Sequence, residues 1–122
     1  ACGRVQAFEI QQFGPSGLVR VDRAIPAPGP GQVCVRVRAC ALNYRDELML
    51  QGRYNPRQPL PLIPVSDGVG VVEAVGDGVD ARLLGTRVLG CFCQGWLDRA
   101  PSRAALATTL GGPRDGALAE YM

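Results

Sequence analysis

The chain has 122 residues, the size of one ordinary domain, and 47% of them are hydrophobic, which is enough for a core of its own. The charges nearly cancel at net +2 and the two signs are interspersed, so nothing suggests binding to nucleic acid or to an anionic membrane surface. Apolar stretches fall short of the roughly 20 residues of a membrane helix, and no leader-like pattern begins the chain. We therefore expect one soluble, cytoplasmic domain that binds neither nucleic acid nor membrane.

Five cysteines and the absence of histidine narrow the chemistry further. An odd set of cysteines without a repeating framework suits a reducing compartment, and we expect most of these thiols to behave as small core hydrophobes. Histidine is the commonest metal ligand and the commonest general base. Any site in this chain must therefore use other groups.

Short strand-like segments separated by glycine and proline dominate the chain. The clearest is 33–39, in which valines alternate with Cys34 and two arginines in a period of two, as in a half-buried strand. Many short strands with such turns favour a mainly β barrel or sandwich over a parallel α/β sheet. The other predicted strands are 4–10, 18–25, 70–75, 87–92 and 117–121.

Two short helices are predicted between the strands. Asn43 is placed to cap a helix that includes Asp46 and ends at Gly52, and Ser102 is placed to cap a helix over 103–110. The spacing of Asn43 and Asp46 resembles a capping box, with Asp in place of the preferred Glu or Gln. A helix cap is therefore one interpretation of Asn43.

The glycine-rich segment 67–76 suggests a dinucleotide-binding loop at first sight. It lacks the third glycine of the G-x-G-x-x-G fingerprint, follows a proline-rich loop instead of a strand, and is not followed by a helix. We interpret it as a strand whose small residues permit close backbone approach.

Six short motifs follow one another along nearly the whole chain. They are 41–46 (ALNYRD), 52–54 (GRY), 61–70 (PLIPVSDGVG), 75–79 (VGDGV), 85–88 (GTRV) and 116–121 (GALAEY). Each is ordinary alone, but their joint order and spacing closely resemble the N-terminal catalytic-domain signature of the medium-chain dehydrogenases/reductases. The resemblance points to the quinone oxidoreductase-like branch of that superfamily.

The resemblance implies a mainly β fold, a GroES-like, partly open barrel with a few short helices over residues 1–122. In relatives a Rossmann domain follows it and binds NADPH or NADH, and the length of this chain leaves no room for one. We therefore expect the chain alone to be inactive. Relatives often dimerise through that second domain, which implies a homodimeric parent protein.

The resemblance also bears on zinc. Zinc-dependent members supply a cysteine where this chain has Asn43 and a His-Glu pair where it has Ser66 and Asp67. Asn and Ser are not usual zinc ligands, and one aspartate cannot form a three-ligand catalytic site. Cys91 and Cys93 lack the neighbours that a structural zinc requires, so we interpret them as same-face strand residues. We expect a protein without zinc.

Site residues follow from their positions in the motifs. Tyr54 matches a substrate-pocket tyrosine, and its hydroxyl is a candidate donor to a developing enolate or quinol oxygen. Asn43 is the other catalytic candidate, with an amide that orients the nicotinamide or the substrate, and Tyr44 is placed on the same cofactor side and in the pocket. Ser66 and Asp67 complete the predicted substrate pocket. Core packing stays open as the alternative for both tyrosines.

The implied activity is hydride transfer from NADPH or NADH to a small molecule: a quinone, an enone or a related carbonyl compound. Two alternatives stay open. One is a non-enzymatic GroES-like barrel that binds a partner, and the other is an enoyl reductase domain within a larger synthase. The motifs around Asn43 and Tyr54 favour a reductase, because a binding module would not need them.

Overall fold

A computed structural model describes residues 3–122. The fold is mainly β, and no helix in this part of the chain is long and apolar enough to cross a bilayer. Single 3-10 turns occupy Pro15–Gly17 and Ala81–Leu83. In chain order the regular elements are β1 (Arg4–Ile10), β2 (Leu18–Ala24), β3 (Val33–Ala41), α1 (Tyr44–Leu50), β4 (Asp67–Val75), β5 (Arg87–Leu89) and α2 (Arg103–Leu106).

The strands form two antiparallel sheets. β1 and β2 make a hairpin in continuous register from Arg4 opposite Ala24 to Ile10 opposite Leu18. The second sheet has the order β3, β4, β5. β3 and β4 are both nine residues long, so this pair is the longest ladder of the fold and fixes where β3 ends and α1 begins.

The segment 118–122 joins the two sheets. Phe8 N donates to Leu118 O at 2.9 Å, and Val35 N donates to Met122 O at 2.8 Å. The order is thus β2, β1, 118–122, β3, β4, β5, and within the described residues β2 and β5 do not pair. This arrangement is a partly open barrel, which confirms the predicted fold class.

A cavity of about 520 Å³ occupies the seam between β2 and β5. Its wall is mostly apolar and includes Val35 and Val72 from the barrel interior and Leu97 from the segment after β5. Arg23 and Asp115 form an ion pair in the same wall, with Arg23 Nη1 3.5 Å from Asp115 Oδ2. The open side of the barrel is therefore apolar with one charged pair.

The best-packed region joins the hairpin to α1. Ile10, Met49 and Leu62 form its core, and each is at most 1% exposed. Ile10 and Leu62 exchange backbone hydrogen bonds of 2.7 and 3.1 Å. The partly buried residues around them are Phe13, Leu18, Leu50 and Leu60. Burial of these apolar side chains anchors α1, and with it the residues at its start.

β3 departs from the predicted alternation at one point. A strict period of two would place Cys34 and Val35 on opposite faces, yet both are buried. The pairing of β3 with β4 shifts register between these two residues, as in a β-bulge, which lets consecutive side chains point inward.

Three predicted elements are shorter or less regular than expected. β5 ends at Leu89 instead of continuing to residue 92, and 117–121 pairs with its neighbours only through isolated bridges. Ser102 caps α2 as predicted, but α2 ends at Leu106. The next turn contains Thr108 and Thr109, whose hydroxyls donate to carbonyls three residues earlier at 2.5 and 2.7 Å and so compete with helical bonding.

The prediction that most cysteines are core residues is right for only half of those described. The structure shows no disulfide among them, and Cys2 lies outside the described residues. Cys91 and Cys93 do not share a strand face, because the chain leaves the sheet after Leu89, and Cys93 Sγ lies 3.3 Å from Thr109 Oγ1. The buried thiols are Cys34 and Cys93, and the exposed thiols are Cys40 and Cys91.

Candidate functional site

The candidate site is built around the start of α1, directly after β3. Asn43 is the N-cap residue, as predicted, with extended backbone angles. Its backbone N–H donates to Asp46 Oδ2 at 2.9 Å, which is the contribution of Asp46 to the predicted capping box. Asp46 itself is buried. The cap therefore fixes the direction in which Asn43 and Tyr44 leave β3.

The amide of Asn43 contacts β4. Asn43 Nδ2 donates to Asp67 Oδ2 at 2.7 Å, a hydrogen bond strengthened by the charge of the carboxylate. The β3–β4 ladder pairs Asp67 with Ala41, which brings together two positions that lie 24 residues apart in the sequence. Both side chains are exposed. The structure thus joins two of the predicted site residues in one amide–carboxylate pair.

The turn before Asp67 is strained. Val65 has a φ of 80°, a region that β-branched residues rarely enter and that costs on the order of 1–3 kcal/mol. Ala117 N donates to Val65 O at 2.8 Å, and Gly111 packs so closely that an added Cβ would lie 2.9 Å from Val65 C. Ser66 is only 3% exposed, so its place in a substrate pocket stays a prediction.

The two candidate tyrosines both lie at the surface. Tyr44 is 71% exposed on the first turn of α1, and Tyr54 is 49% exposed just after α1. Gly52, with a φ of 71°, ends the helix where predicted and turns the chain toward Tyr54. Within the described residues neither tyrosine is a core residue, so both hydroxyls are available to a ligand.

The sequence did not identify Arg45 as a site residue, although its guanidinium lies over the Tyr54 ring. Its Cζ lies 4.5 Å from the centroid of the Tyr54 ring and 5.0 Å from that of Phe92. Its Nη2 donates to Gly112 O at 2.7 Å, and its Nη1 donates to the two preceding carbonyls at 3.4 and 3.3 Å. These acceptors are 65 to 67 residues away in the chain, so no local pattern reveals them.

A shallow depression of about 430 Å³ lies beside Asp67. Its wall consists of 39–41, 67–69 and 89–90, and Asp67 is its one charged residue. The volume is in the range of small-molecule sites. Asn43 and Tyr54 do not line this depression; Asn43 connects to it through its hydrogen bond to Asp67.

The Cys40 thiol borders the same depression. Burial and, secondarily, the Asp46 carboxylate raise the pKa of Cys40 above the ordinary value of a thiol. The thiol is therefore protonated at neutral pH and is a poor nucleophile.

The side chains of this chain offer few ligands for a metal ion. Among residues 3–122, no three Cys, Asp or Glu side chains come together in a group that could hold a metal ion. Of the Asn43–Asp67 pair, only the aspartate is a common zinc ligand. The pair as built is a hydrogen-bonded contact between an amide and a carboxylate.

Comparison with known proteins identifies the family. The alcohol dehydrogenase GroES-like domain family matches residues 29–122. A zinc-type alcohol dehydrogenase-like protein of Schizosaccharomyces pombe is 40% identical over 92 residues, 75% of this chain and 27% of that protein. The human synaptic vesicle membrane protein VAT-1 homolog is 53% identical over 88 residues, 70% of this chain and 22% of that protein. The quinone oxidoreductase of Rattus norvegicus is 37% identical over 90 residues, which are 72% of this chain and 27% of that protein.

Solved structures agree with this assignment. A cobalt- and zinc-bound thermostable alcohol dehydrogenase from Pyrobaculum aerophilum matches with a TM-score of 0.82 at 29% identity, over 98% of this chain and 39% of that one. An Escherichia coli alcohol dehydrogenase in complex with NADH matches with a TM-score of 0.82 at 26% identity, over 98% of this chain and 35% of that one. The chain spans about a quarter of the length of the relatives named above. It belongs to the alcohol dehydrogenase GroES-like domain family of the medium-chain dehydrogenases/reductases.

Proposed function

We propose that this chain is the substrate-side domain of an NAD(P)H-dependent oxidoreductase that reduces quinones, enones or related carbonyl compounds without zinc. The observation that carries the proposal is the Asn43–Asp67 pair, with its 2.7 Å hydrogen bond between amide and carboxylate. These two positions correspond to ligand positions of zinc-dependent relatives. Here they bind each other, beside a depression of suitable size for a small substrate.

The proposed mechanism assigns roles to this chain's own residues. When bound, NADPH or NADH supplies the hydride. Asn43 and Tyr44, at the start of α1, orient the nicotinamide side of the site. The Tyr54 hydroxyl donates a hydrogen bond to the substrate oxygen, on which negative charge develops when hydride is added, and protons from solvent then complete the reduction. Ser66 and Asp67 border the substrate.

Charge stabilisation in this scheme requires no metal ion. The Arg45 side chain is 13% exposed and lies against the Tyr54 ring, so its positive charge is held close to the developing oxyanion. Its Nη1 and Nη2 donate to three backbone carbonyls and its Nε is buried, so its contribution is electrostatic instead of a direct hydrogen bond to substrate. Activated alkenes and quinones suit this weaker polarisation, because they accept hydride without a Lewis acid.

The proposal extends to the whole protein. Relatives are about four times longer than the matched part, and one solved neighbour binds NADH, which supports a parent with a Rossmann domain that holds the cofactor. The chain alone is then inactive, and a parent of this type dimerises through its second domain. We also keep the cytoplasm as the proposed location.

The test is hydride transfer by the full-length parent, followed as NADPH or NADH oxidation with a simple quinone and a simple enone. Tyr54→Phe should lower kcat/KM on the order of 100-fold, because it removes the proposed donor. Tyr121→Phe is the matched control, since it makes the same chemical change outside the site, and it should leave turnover intact. An inert parent, or equal losses in both variants, contradicts the proposal; an inert parent favours the non-enzymatic binding module.

A further inference from the structure

Arg45 is a buried cation that the proposed chemistry does not bring into contact with substrate. We propose that Arg45 is a positioning residue. The backbone carbonyls of 110–112 fix the guanidinium of Arg45, and the guanidinium in turn fixes the orientation of the Tyr54 ring. This inference rests on the function proposed above, because the orientation of Tyr54 matters only if its hydroxyl meets a substrate.

The guanidinium is fixed from one side by the backbone. Nη2 donates to Gly112 O at 2.7 Å, and Nη1 is shared between Leu110 O at 3.4 Å and Gly111 O at 3.3 Å. A guanidinium is planar and carries its donors in a rigid fork, so bonds to three carbonyls define both its position and its plane. The side chain is only 13% exposed, which limits competition from water.

The other contact of the guanidinium is with aromatic rings. Its Cζ lies over the Tyr54 ring at 4.5 Å and over the Phe92 ring at 5.0 Å, both within the range of cation–π attraction. Tyr54 is 49% exposed and Phe92 is 43% exposed, so packing against other side chains constrains the orientation of each ring only in part. The fixed guanidinium is therefore a contact that can orient the Tyr54 ring.

The main chain around these groups is also constrained. Tyr54 N donates to Leu48 O at 3.1 Å, which ties the backbone of Tyr54 to α1 and leaves the ring to be set by its side-chain contacts. Gly112 has a φ of 124°, and a Cβ there would overlap with Met49. The carbonyl that receives Arg45 Nη2 is therefore held by contact with the core.

The charge of Arg45 is incompletely neutralised. In the described part of the chain, the one carboxylate within 4.0 Å is Asp46, with Nη1 to Oδ1 at that limit. Arg45 Nε and Asp46 Oδ1 are both buried without a hydrogen-bond partner. A residue whose role was only to pair Asp46 would form a closer contact. The short contacts of Arg45 go instead to the carbonyls and the rings.

A double-mutant cycle in the full-length parent tests the coupling through kcat/KM. In the wild-type background Tyr54→Phe should cost on the order of 100-fold. In the Arg45→Met background the same change should cost less than about tenfold, because the hydroxyl is no longer held in place. Arg45→Lys keeps the charge but loses the planar fork, so in this background too Tyr54→Phe should cost less than about tenfold. Arg57→Met is the control background, because Arg57 is exposed. In this background Tyr54→Phe should still lower kcat/KM on the order of 100-fold.

The second measurement is independent of activity. The full-length parent is labelled with ¹³C-tyrosine, and the Tyr54 resonance is assigned as the one that disappears in Tyr54→Phe. That resonance should shift in Arg45→Met and in Arg45→Lys and should be unchanged in Arg57→Met. An undiminished Tyr54→Phe cost in the Arg45→Met background, or an unshifted ring resonance in a folded Arg45 variant, overturns the inference. If Arg45→Met does not fold, Arg45→Lys decides. If the parent reduces neither substrate, the proposed function fails, and the resonance alone still decides whether Arg45 orients Tyr54.

Discussion

Two regions of this barrel differ in how closely their side chains are packed. Ile10, Met49 and Leu62 are at most 1% exposed and lie where the β1–β2 hairpin meets α1. The segment 90–110 holds only the four-residue α2, and its Leu97 is 90% exposed. The candidate site lies at the boundary, where α1 comes from the packed region, and Phe92 and the first of the three carbonyls that accept from Arg45 come from the other. Site geometry thus depends on both, and a change in either region should disturb it differently.

The largest expected contrast is between two leucine truncations. Leu62→Ala removes a core side chain that is 1% exposed and should lower the free energy of unfolding by about 3 kcal/mol through lost burial and a residual cavity. Leu97→Ala makes the same chemical change at a 90% exposed position and should alter stability by less than about 0.5 kcal/mol. Urea unfolding followed by circular dichroism measures both. Equal losses would mean that the two regions are not different in packing.

The boundary itself is tested by a pair of glycine substitutions. Gly112→Ala forces an L side chain into a φ of 124° and must also displace the end of the buried Met49 side chain, so it should destabilise by about 2 kcal/mol or more. Gly78→Ala is the control, because its φ of 80° is also positive but no atom lies within 4 Å of the added Cβ. It should show only the backbone cost of about 1–2 kcal/mol. If the two variants lose the same stability, the contact between Gly112 and the core is not significant.

The smallest effect concerns the cysteines and leaves stability unchanged. Among the four cysteines within residues 3–122, Cys91 should react fastest with a thiol reagent in the folded protein, while Cys34 and Cys93 should be protected by burial. Cys40 is exposed, but burial of its sulfur and the Asp46 carboxylate raise its pKa, so its labelling should keep accelerating at pH values above the ordinary thiol pKa. Site-resolved mass spectrometry across pH 7 to about 10 measures these rates. Fast labelling of Cys93 would contradict the packing of the segment after β5.

Local sequence patterns located the elements whose causes are local. β1 has the predicted bounds 4–10, and α1 begins after Asn43 and stops just before Gly52 as predicted, because capping groups and a glycine with positive φ lie next to the residues they affect. The overestimates are equally local in cause. The prediction extends β5 past Leu89 because the next residues are partly apolar. In the structure those residues belong to an irregular segment, and the pairing of β5 with β4 ends at Leu89.

Contacts between distant segments were not predictable from one sequence. The role of 118–122 as the link between sheets depends on pairing with β1, more than 100 residues away, and the contacts of Arg45 depend on a loop placed by Gly111 and Gly112. Asn43 and Tyr54 were selected through the resemblance to a family. The structure adds the hydrogen bond of Asn43 to Asp67, whereas the catalytic roles of both residues stay predictions.

The central claim is that this member of the family works without zinc, and metal content measured together with turnover tests it most directly. The full-length protein should be purified from zinc-supplemented cells, assayed by inductively coupled plasma mass spectrometry, and tested for quinone and enone reduction before and after treatment with a chelator. The account predicts well below one zinc per chain and unchanged turnover, since the Asn43–Asp67 pair supplies one conventional ligand. One zinc per chain, with turnover lost on chelation and restored by zinc, would contradict it.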